Sequence, residues 1–249
     1  MLHAARRSAT LPQLMSTSPD PLADLSRRIR SASGGRAVDL LAVSKTRTAE
    51  EVVALARRGQ HAFGENYVQE AVAKRAAVAA LAPDLEIRWH LIGRLQSNKA
   101  RDAATFDCVE SLDRPRLADA LAAARPDDRP PLDVLIQVNP DAEAGKAGCP
   151  PGEAAALAAH VTTLPGLRLR GLMAIPAPAE DPAVRRTSFR TLADLFAQLR
   201  HAHPGMDTLS MGMSDDFELA IAEGATRVRI GTALFGPRPA RPHAGARPT

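Results

Sequence analysis

Short apolar runs alternate with longer amphipathic segments along most of the chain, and that alternation is what most limits the folds open to it. Strand-like runs fall at 39–43, 62–63, 87–92, 108–109, 134–138, 169–175, 208–210 and 227–230. Helical periodicity falls near 49–58, 68–81, 99–104, 114–123, 153–163, 184–201 and 216–222, with one further helix near 21–31 ahead of the first strand. Strands separated by helices return in the same sense and build a parallel sheet. Eight such units predict an α/β fold, a single (β/α)8 TIM barrel with an extra N-terminal helix; the chain's 249 residues match the ~250 usual for that fold. The competitor is an open doubly wound sheet. Against it, no Gly-x-Gly-x-x-Gly follows the first strand, and Gly34 and Gly35 precede that strand as a turn. The barrel is expected over 21–236, between a disordered leader at 1–20 and a disordered Pro/Arg-rich tail at 237–249.

Composition narrows the function classes. No apolar run approaches the ~20 residues of a membrane span, and the Arg-containing first 18 residues lack the apolar stretch of a secretory signal. Cys108 and Cys149 are too few and too far apart for a disulfide framework or a zinc site, which suits a reducing, cytoplasmic location. The histidines show no metal-ligand spacing, so no metal is expected. The net charge of +4 comes from arginines interleaved with acids, and aromatics make up 3 % of the chain. A basic stripe and stacking platforms are both poorly supplied, which argues against nucleic acid.

In a barrel, reactive groups gather at the C-terminal ends of the strands. Lys45 lies just past the first strand. The chain has four lysines (Lys45, Lys74, Lys99, Lys146) among 32 Lys and Arg residues, so arginine serves almost everywhere a cation is wanted. Arginine keeps its proton near neutral pH, whereas a partly desolvated lysine can lose it, and the free amine attacks carbonyls. Lys45 at a strand end therefore suggests a Schiff base; the alternative is an ordinary solvated strand-end lysine.

Two further segments share that end of the barrel. Ser214 follows the seventh strand and reads as the N-cap of the next helix, with Asp215 and Asp216 in its first turn; exposed N–H groups at a helix start also bind anions. In the eighth strand, Val228 and Ile230 face the helices, which turns Arg227, Arg229 and Gly231 inward. A buried guanidinium needs an acceptor, either a carboxylate of the protein or an atom of a bound ring. Gly231 admits close approach of a ligand, and Thr232 offers an N–H and a hydroxyl. Barrels often hold phosphate in the loops after strands seven and eight. Together these groups describe pyridoxal 5′-phosphate: aldehyde on Lys45, phosphate at Ser214, Gly231 and Thr232, ring nitrogen facing Arg229. A charged Arg there keeps the nitrogen unprotonated and weakens the ring as an electron sink.

Several blocks in one order carry a resemblance. They are Ala42-Val-Ser-Lys-Thr46, Phe63-Gly-Glu-Asn-Tyr-Val-Gln-Glu70, Trp89-His-Leu-Ile-Gly93, Leu95-Gln-Ser-Asn-Lys99, Gly171-Leu-Met-Ala-Ile-Pro176, Leu209-Ser-Met-Gly-Met-Ser-Asp-Asp216 and Val228-Arg-Ile-Gly-Thr-Ala-Leu-Phe-Gly236. From about Leu22 to Gly236 the chain resembles the pyridoxal phosphate homeostasis protein family. The resemblance implies a barrel similar to the N-terminal domain of alanine racemases with fold-type III cofactor binding. It also implies an internal aldimine on Lys45, phosphate contacts from Ser214, Gly231 and Thr232, a ring contact from Arg229, and a cofactor contact from Asn66. Arg94 departs from the smaller or neutral residue expected there and adds positive charge near the mouth.

Whether such a site turns over is a separate question. Racemisation needs two bases on opposite faces of the α-carbon, and this chain has one tyrosine, Tyr67, placed at a helix start, with no β-rich domain after the barrel. The expectation is a non-catalytic monomer that buffers or delivers pyridoxal phosphate, with apoenzymes that depend on it as recipients. Its rivals are an amino-acid racemase using Lys45 as a base and a phosphate-metabolite sensor in which Lys45 only forms an ion pair. His90, beside Trp89 in the third strand, reads as a core histidine or as support for Arg229.

Overall fold

In the computed structural model, which describes residues 20–143 and 145–237, eight strands pair in chain order and close on themselves. They are β1 (Asp39–Val43), β2 (Ala62–Glu65), β3 (Arg88–Leu91), β4 (Cys108–Leu112), β5 (Leu132–Val138), β6 (Leu167–Ala174), β7 (Thr208–Ser210) and β8 (Arg227–Ile230). Every neighbouring pair is parallel, including the closing pair, where Asp39 to Ala42 of β1 run beside Arg227 to Ile230 of β8. Helices α1 (Pro21–Ser33), α2 (Ala49–Ala56), α3 (Val68–Leu81), α4 (Ala100–Ala103), α5 (Pro115–Ala124), α6 (Ala154–Thr162), α7 (Pro182–Ala202), α8 (Phe217–Ala222) and α9 (Thr232–Phe235) surround them. The (β/α)8 barrel with its leading helix is therefore present. The expected leader and tail lie outside the described residues except for Asp20 and Pro237. Asp20 belongs structurally to α1, because its carboxylate accepts from Leu22 N at 2.9 Å and Ala23 N at 3.3 Å as the N-cap.

The local chemistry accounts for the elements that carry the site. α2 starts at a reciprocal capping box: Thr48 Oγ1 accepts from Glu51 N (3.2 Å) and Glu51 Oε2 accepts from Thr48 N (2.7 Å). That box sets where the turn after Lys45 ends. α7 buries one stripe, Ser188, Phe189, Leu192, Phe196 and Leu199, at helical spacing against the barrel. Each fully buried Phe or Leu contributes about 1.5–3 kcal/mol by removal of apolar surface from water.

Most of the core lies between sheet and helices, where Phe63 meets Trp89 at 5.9 Å between ring centroids. The barrel interior holds only small apolar clusters, Leu41 with Ala62 and Ile92, and Cys108 with Leu135 and Met173. The remaining interior is polar, and this explains where strand ends differ from expectation. β2 continues to Glu65 and β4 to Leu112, past the expected ends at 63 and 109. Glu65 and Glu110 lie in these extensions, and each is fully buried and met by cations and hydroxyls. The four-residue α9 has no counterpart in the helical periodicity.

Candidate functional site

Where β1 and β8 meet, the C-terminal end of the barrel holds a cavity of about 340 Å³. Lys45, Ser214, Arg229, Gly231 and Thr232 all line it, so five of the six residues expected to bind a cofactor converge there. Asn66 does not. It lines a separate groove of about 820 Å³ with Tyr67, Arg94, Lys99 and Arg114. Arg94 thus adds charge to that groove rather than to the Lys45 cavity.

Lys45 is half-buried and follows β1 by two residues. The other lysines have different surroundings. Lys74 is buried, and its ammonium donates to Ser44 O (2.6 Å), Glu65 Oε1 (2.6 Å) and Glu70 Oε1 (3.1 Å), which uses all three N–H bonds. Lys146 pairs with Glu143 at 2.8 Å. Lys99 lies in the groove with Asn66. Lys45 is the lysine that lines the same cavity as the phosphate-type donors.

Ser214 reaches the cavity by a different route from the one expected. It sits in a turn, and α8 begins three residues later, with Asp216 in the N-cap position. Asp216 Oδ1 accepts from Met213 N at 2.6 Å, and its other oxygen pairs with Arg185 Nε at 3.4 Å. The capping carboxylate therefore folds back over its own turn, and the donors facing the cavity come from the loop instead of a helix end. Gly231 and Thr232 open α9, whose first amides have no acceptor within the helix. A Cβ on residue 231 would meet Val43 O only at 3.4 Å, an ordinary contact. The protein itself leaves room for a methyl group there, against Val43 of β1.

Arg229 is buried, 3 % exposed, and held by three short bonds: Nη1 to Ser210 O and Ser210 Oγ, both 2.8 Å, and Nη2 to Ala174 O at 2.7 Å. Its acceptors are carbonyls and a hydroxyl, and burial lowers its pKa from the ordinary arginine value. Ser210 in turn donates to Glu110 Oε2 at 2.6 Å, and Glu110 Oε1 meets His90 Nδ1 at 2.9 Å and Arg227 Nη1 at 3.1 Å. His90 thus supports Arg229 through two intermediates. Burial pushes the Glu110 carboxyl up, but the hydrogen bond from His90 and the charges of Arg227 and Arg229 outweigh it and hold it well below the usual carboxylate range. Arg227 also reaches Asp39 at 3.1 Å.

His90 and Cys108 are register partners on β3 and β4, and Glu110 is the next residue on the same face of β4. Their ligand-type atoms lie within 4.8 Å of one another, a proximity that spacing in the sequence does not reveal. The set does not fit a cation. Both Glu110 oxygens are already engaged, a divalent ion would sit against Arg227, and burial raises the Cys108 thiol well above its ordinary value. Cys149 is likewise buried as a free thiol, pushed up to about 12.

Residue patterns gave no sign of Arg47, which also lines the cavity. It is buried, its guanidinium donates to Gly236 O and to Pro237 O (3.1 Å), pairs with Glu51 (3.2 Å) and lies 5.3 Å from the Phe235 ring centroid. Those carbonyl partners are nearly 190 positions away, beyond the reach of any local signal.

The eight strands close in chain order into a parallel barrel, and the family model described as the alanine racemase N-terminal domain matches residues 19–239. A solved alanine racemase from Corynebacterium glutamicum shares the fold at TM-score 0.66 and 17 % identity, the match spanning 92 % of this chain and 62 % of that one. The pyridoxal phosphate homeostasis protein of Pseudomonas aeruginosa is 50 % identical over 230 residues, 90 % of this chain and 97 % of that one. PipY of Synechococcus elongatus, solved with PLP bound, superposes at TM-score 0.77 and 36 % identity over 87 % of this chain and 98 % of that one. The chain belongs to the pyridoxal phosphate homeostasis protein family.

Proposed function

We propose that this chain binds pyridoxal 5′-phosphate covalently through Lys45 and serves to buffer or deliver it, with little or no turnover. The observation that carries the reading is the convergence of Lys45, Arg229 and the Gly231–Thr232 turn on one cavity, in a family with a PLP-bound member. The residues fit the group. Ser214, Gly231 and Thr232 would hold the phosphate, and Arg229, held by Ser210 and Ala174, would face the ring nitrogen. The cofactor supplies an aldehyde that joins an amine reversibly. The chain's own residues bind the phosphate, fix the ring and present the amine.

Two placements favour a carrier over a racemase. Tyr67 is 60 % exposed and lines the neighbouring groove rather than the Lys45 cavity, and Lys74 is fully committed to three acceptors. Neither supplies a second base opposite Lys45. Among the described residues no helix is long and apolar enough to cross a membrane. We assign the protein to the cytoplasm as a monomer, with pyridoxal-phosphate-dependent apoenzymes as recipients. The test is the visible spectrum before and after borohydride, with the reduced adduct mapped by peptide mass spectrometry. A phosphopyridoxyl group on Lys45 is expected, and a colourless protein that takes up no added cofactor would overturn the reading. Sustained exchange of an amino acid's α-proton in deuterium oxide would instead favour the racemase.

A further inference from the structure

Bonded to both chain neighbours of Lys45, and outside the residues that line the cavity, is a buried charge cluster that the cofactor reading does not use. Glu65 at the end of β2 is fully buried, and Lys74 on α3 is 7 % exposed. Glu65 Oε1 accepts from Lys74 Nζ (2.6 Å) and from Ser44 Oγ (2.7 Å), while Lys74 also donates to the Ser44 carbonyl (2.6 Å). Glu70, half-buried one turn before Lys74, shares the ammonium at 3.1 Å and accepts from Thr46 N at 2.7 Å. Both backbone neighbours of Lys45 are thereby held, Ser44 at its hydroxyl and its carbonyl, Thr46 at its amide. Thr46 takes φ 66, a left-handed conformation that β-branched residues rarely adopt and that persists only when surroundings impose it.

Sealing two opposite charges from water gains little stability over an apolar pair of similar size. Here burial lifts the Glu65 carboxyl above its ordinary value despite the bonds from Lys74 and Ser44, and Glu65 Oε2 is left without a hydrogen-bond partner. The cluster is costly, and each of its bonds to backbone falls on a residue adjacent to Lys45. We propose that Lys74, with Glu65 and Glu70, is a positioning clasp for Lys45: it fixes the turn from 44 to 46 so that the ε-amine meets the cofactor's aldehyde. The clasp touches no cofactor atom, and it rests on the assignment of Lys45 as the covalent site. In the step it serves, the Lys45 nitrogen forms a C=N bond as the aldehyde's C=O breaks, and one water leaves.

The experiment compares two ligands on the full chain. Pyridoxal 5′-phosphate can bond to Lys45; pyridoxine 5′-phosphate, with an alcohol in place of the aldehyde, reports the phosphate and ring contacts alone. In Lys74→Met the covalent equilibrium, read from the visible band, is expected to weaken about tenfold or more, the size of one lost charge-assisted hydrogen bond. Affinity for pyridoxine 5′-phosphate is expected to stay within about twofold. Glu70→Ala, at a half-exposed site, carries the same test if Lys74→Met does not fold, with a loss in the same direction. Equal loss of both ligands, or no loss of either, overturns the clasp, because a merely structural cluster would not separate them. Absence of a borohydride-trapped adduct on Lys45 in the unaltered protein would mark failure of the Lys45 assignment instead, and the clasp would fall with it.

Discussion

Gly231 and Lys45 give opposite kinds of leverage on the same cavity. A methyl group at 231 meets nothing closer than 3.4 Å in the protein, and the residue's φ of −116 is open to any side chain. Gly231→Ala is therefore expected to leave the denaturant midpoint unchanged while weakening pyridoxine 5′-phosphate binding about tenfold or more, as the proposed seat of the phosphate at this turn requires. Lys45→Ala should do the reverse to the chemistry: non-covalent binding persists, but no borohydride-stable adduct forms, as seen by mass spectrometry. Glu110 supplies the pH-dependent case. Its folded pKa is depressed, so its stabilising contribution is present above the ordinary carboxylate value near 4.3 and is lost as pH falls through the folded value. Removing its charge leaves Arg227 and Arg229 without their buried counter-ion. Glu110→Gln should lower stability by about 3 kcal/mol or more at pH 7. The gap between variant and parent should narrow steadily below about pH 4, which thermal melts across a pH series would show.

At the scale of elements, one close backbone approach constrains how strands pair. Gly171 in β6 lies so close to β7 that an added Cβ would stand 1.7 Å from the Thr208 carbonyl oxygen. The β5–β6 register also shifts just before it, between Val134 and Leu135. Relief would require moving backbone, so Gly171→Ala is expected to cost about 3 kcal/mol or more, measurable as a lower denaturant midpoint with an unchanged m-value. Apolar alternation exposed most strands, because their outward side chains pack under helices and read as hydrophobic runs. It could not show that Glu65 and Glu110 lie inside strands, since the groups that satisfy them arrive from α3, β3, β7 and β8. Ser214 illustrates the same limit. Its sequence context suits a helix cap, but Asp216 takes that position and uses its carboxylate on Met213 N. Lys74 lies four residues after Glu70 on α3. The two pair, but the third acceptor on Ser44 appears only once α3 is laid on the barrel.

For the molecule as a whole, the barrel rule turned a list of strand ends into a map. It brought Lys45 together with Ser214, Arg229, Gly231 and Thr232, while Asn66 went to the adjoining groove. A rule about which end of a barrel is reactive does not say which neighbouring loops share a cavity, and that is why Asn66 and Arg47 could not be sorted in advance. A ligand held by the folded chain alone stabilises it through mass action. At about 100 times its dissociation constant, pyridoxal 5′-phosphate should add about 2.7 kcal/mol. For a domain of this size that raises Tm by roughly 5–10 °C, and scanning calorimetry with and without cofactor would measure it. Lys45→Ala should lose part of that shift, and Gly231→Ala more of it.

The cavity is walled on one side by the turn after the first strand and on the other by the loops flanking the last, and Arg47 ties the two by reaching the backbone at Gly236 and Pro237. Nearly the entire polypeptide separates these walls along the chain. During synthesis, then, Lys45 emerges early, yet the residues proposed to hold phosphate and ring are translated last. A nascent or truncated chain presents the lysine without the cavity, whose other wall is complete only with α9. Under the proposed reading, uptake of the cofactor would report that the barrel has closed.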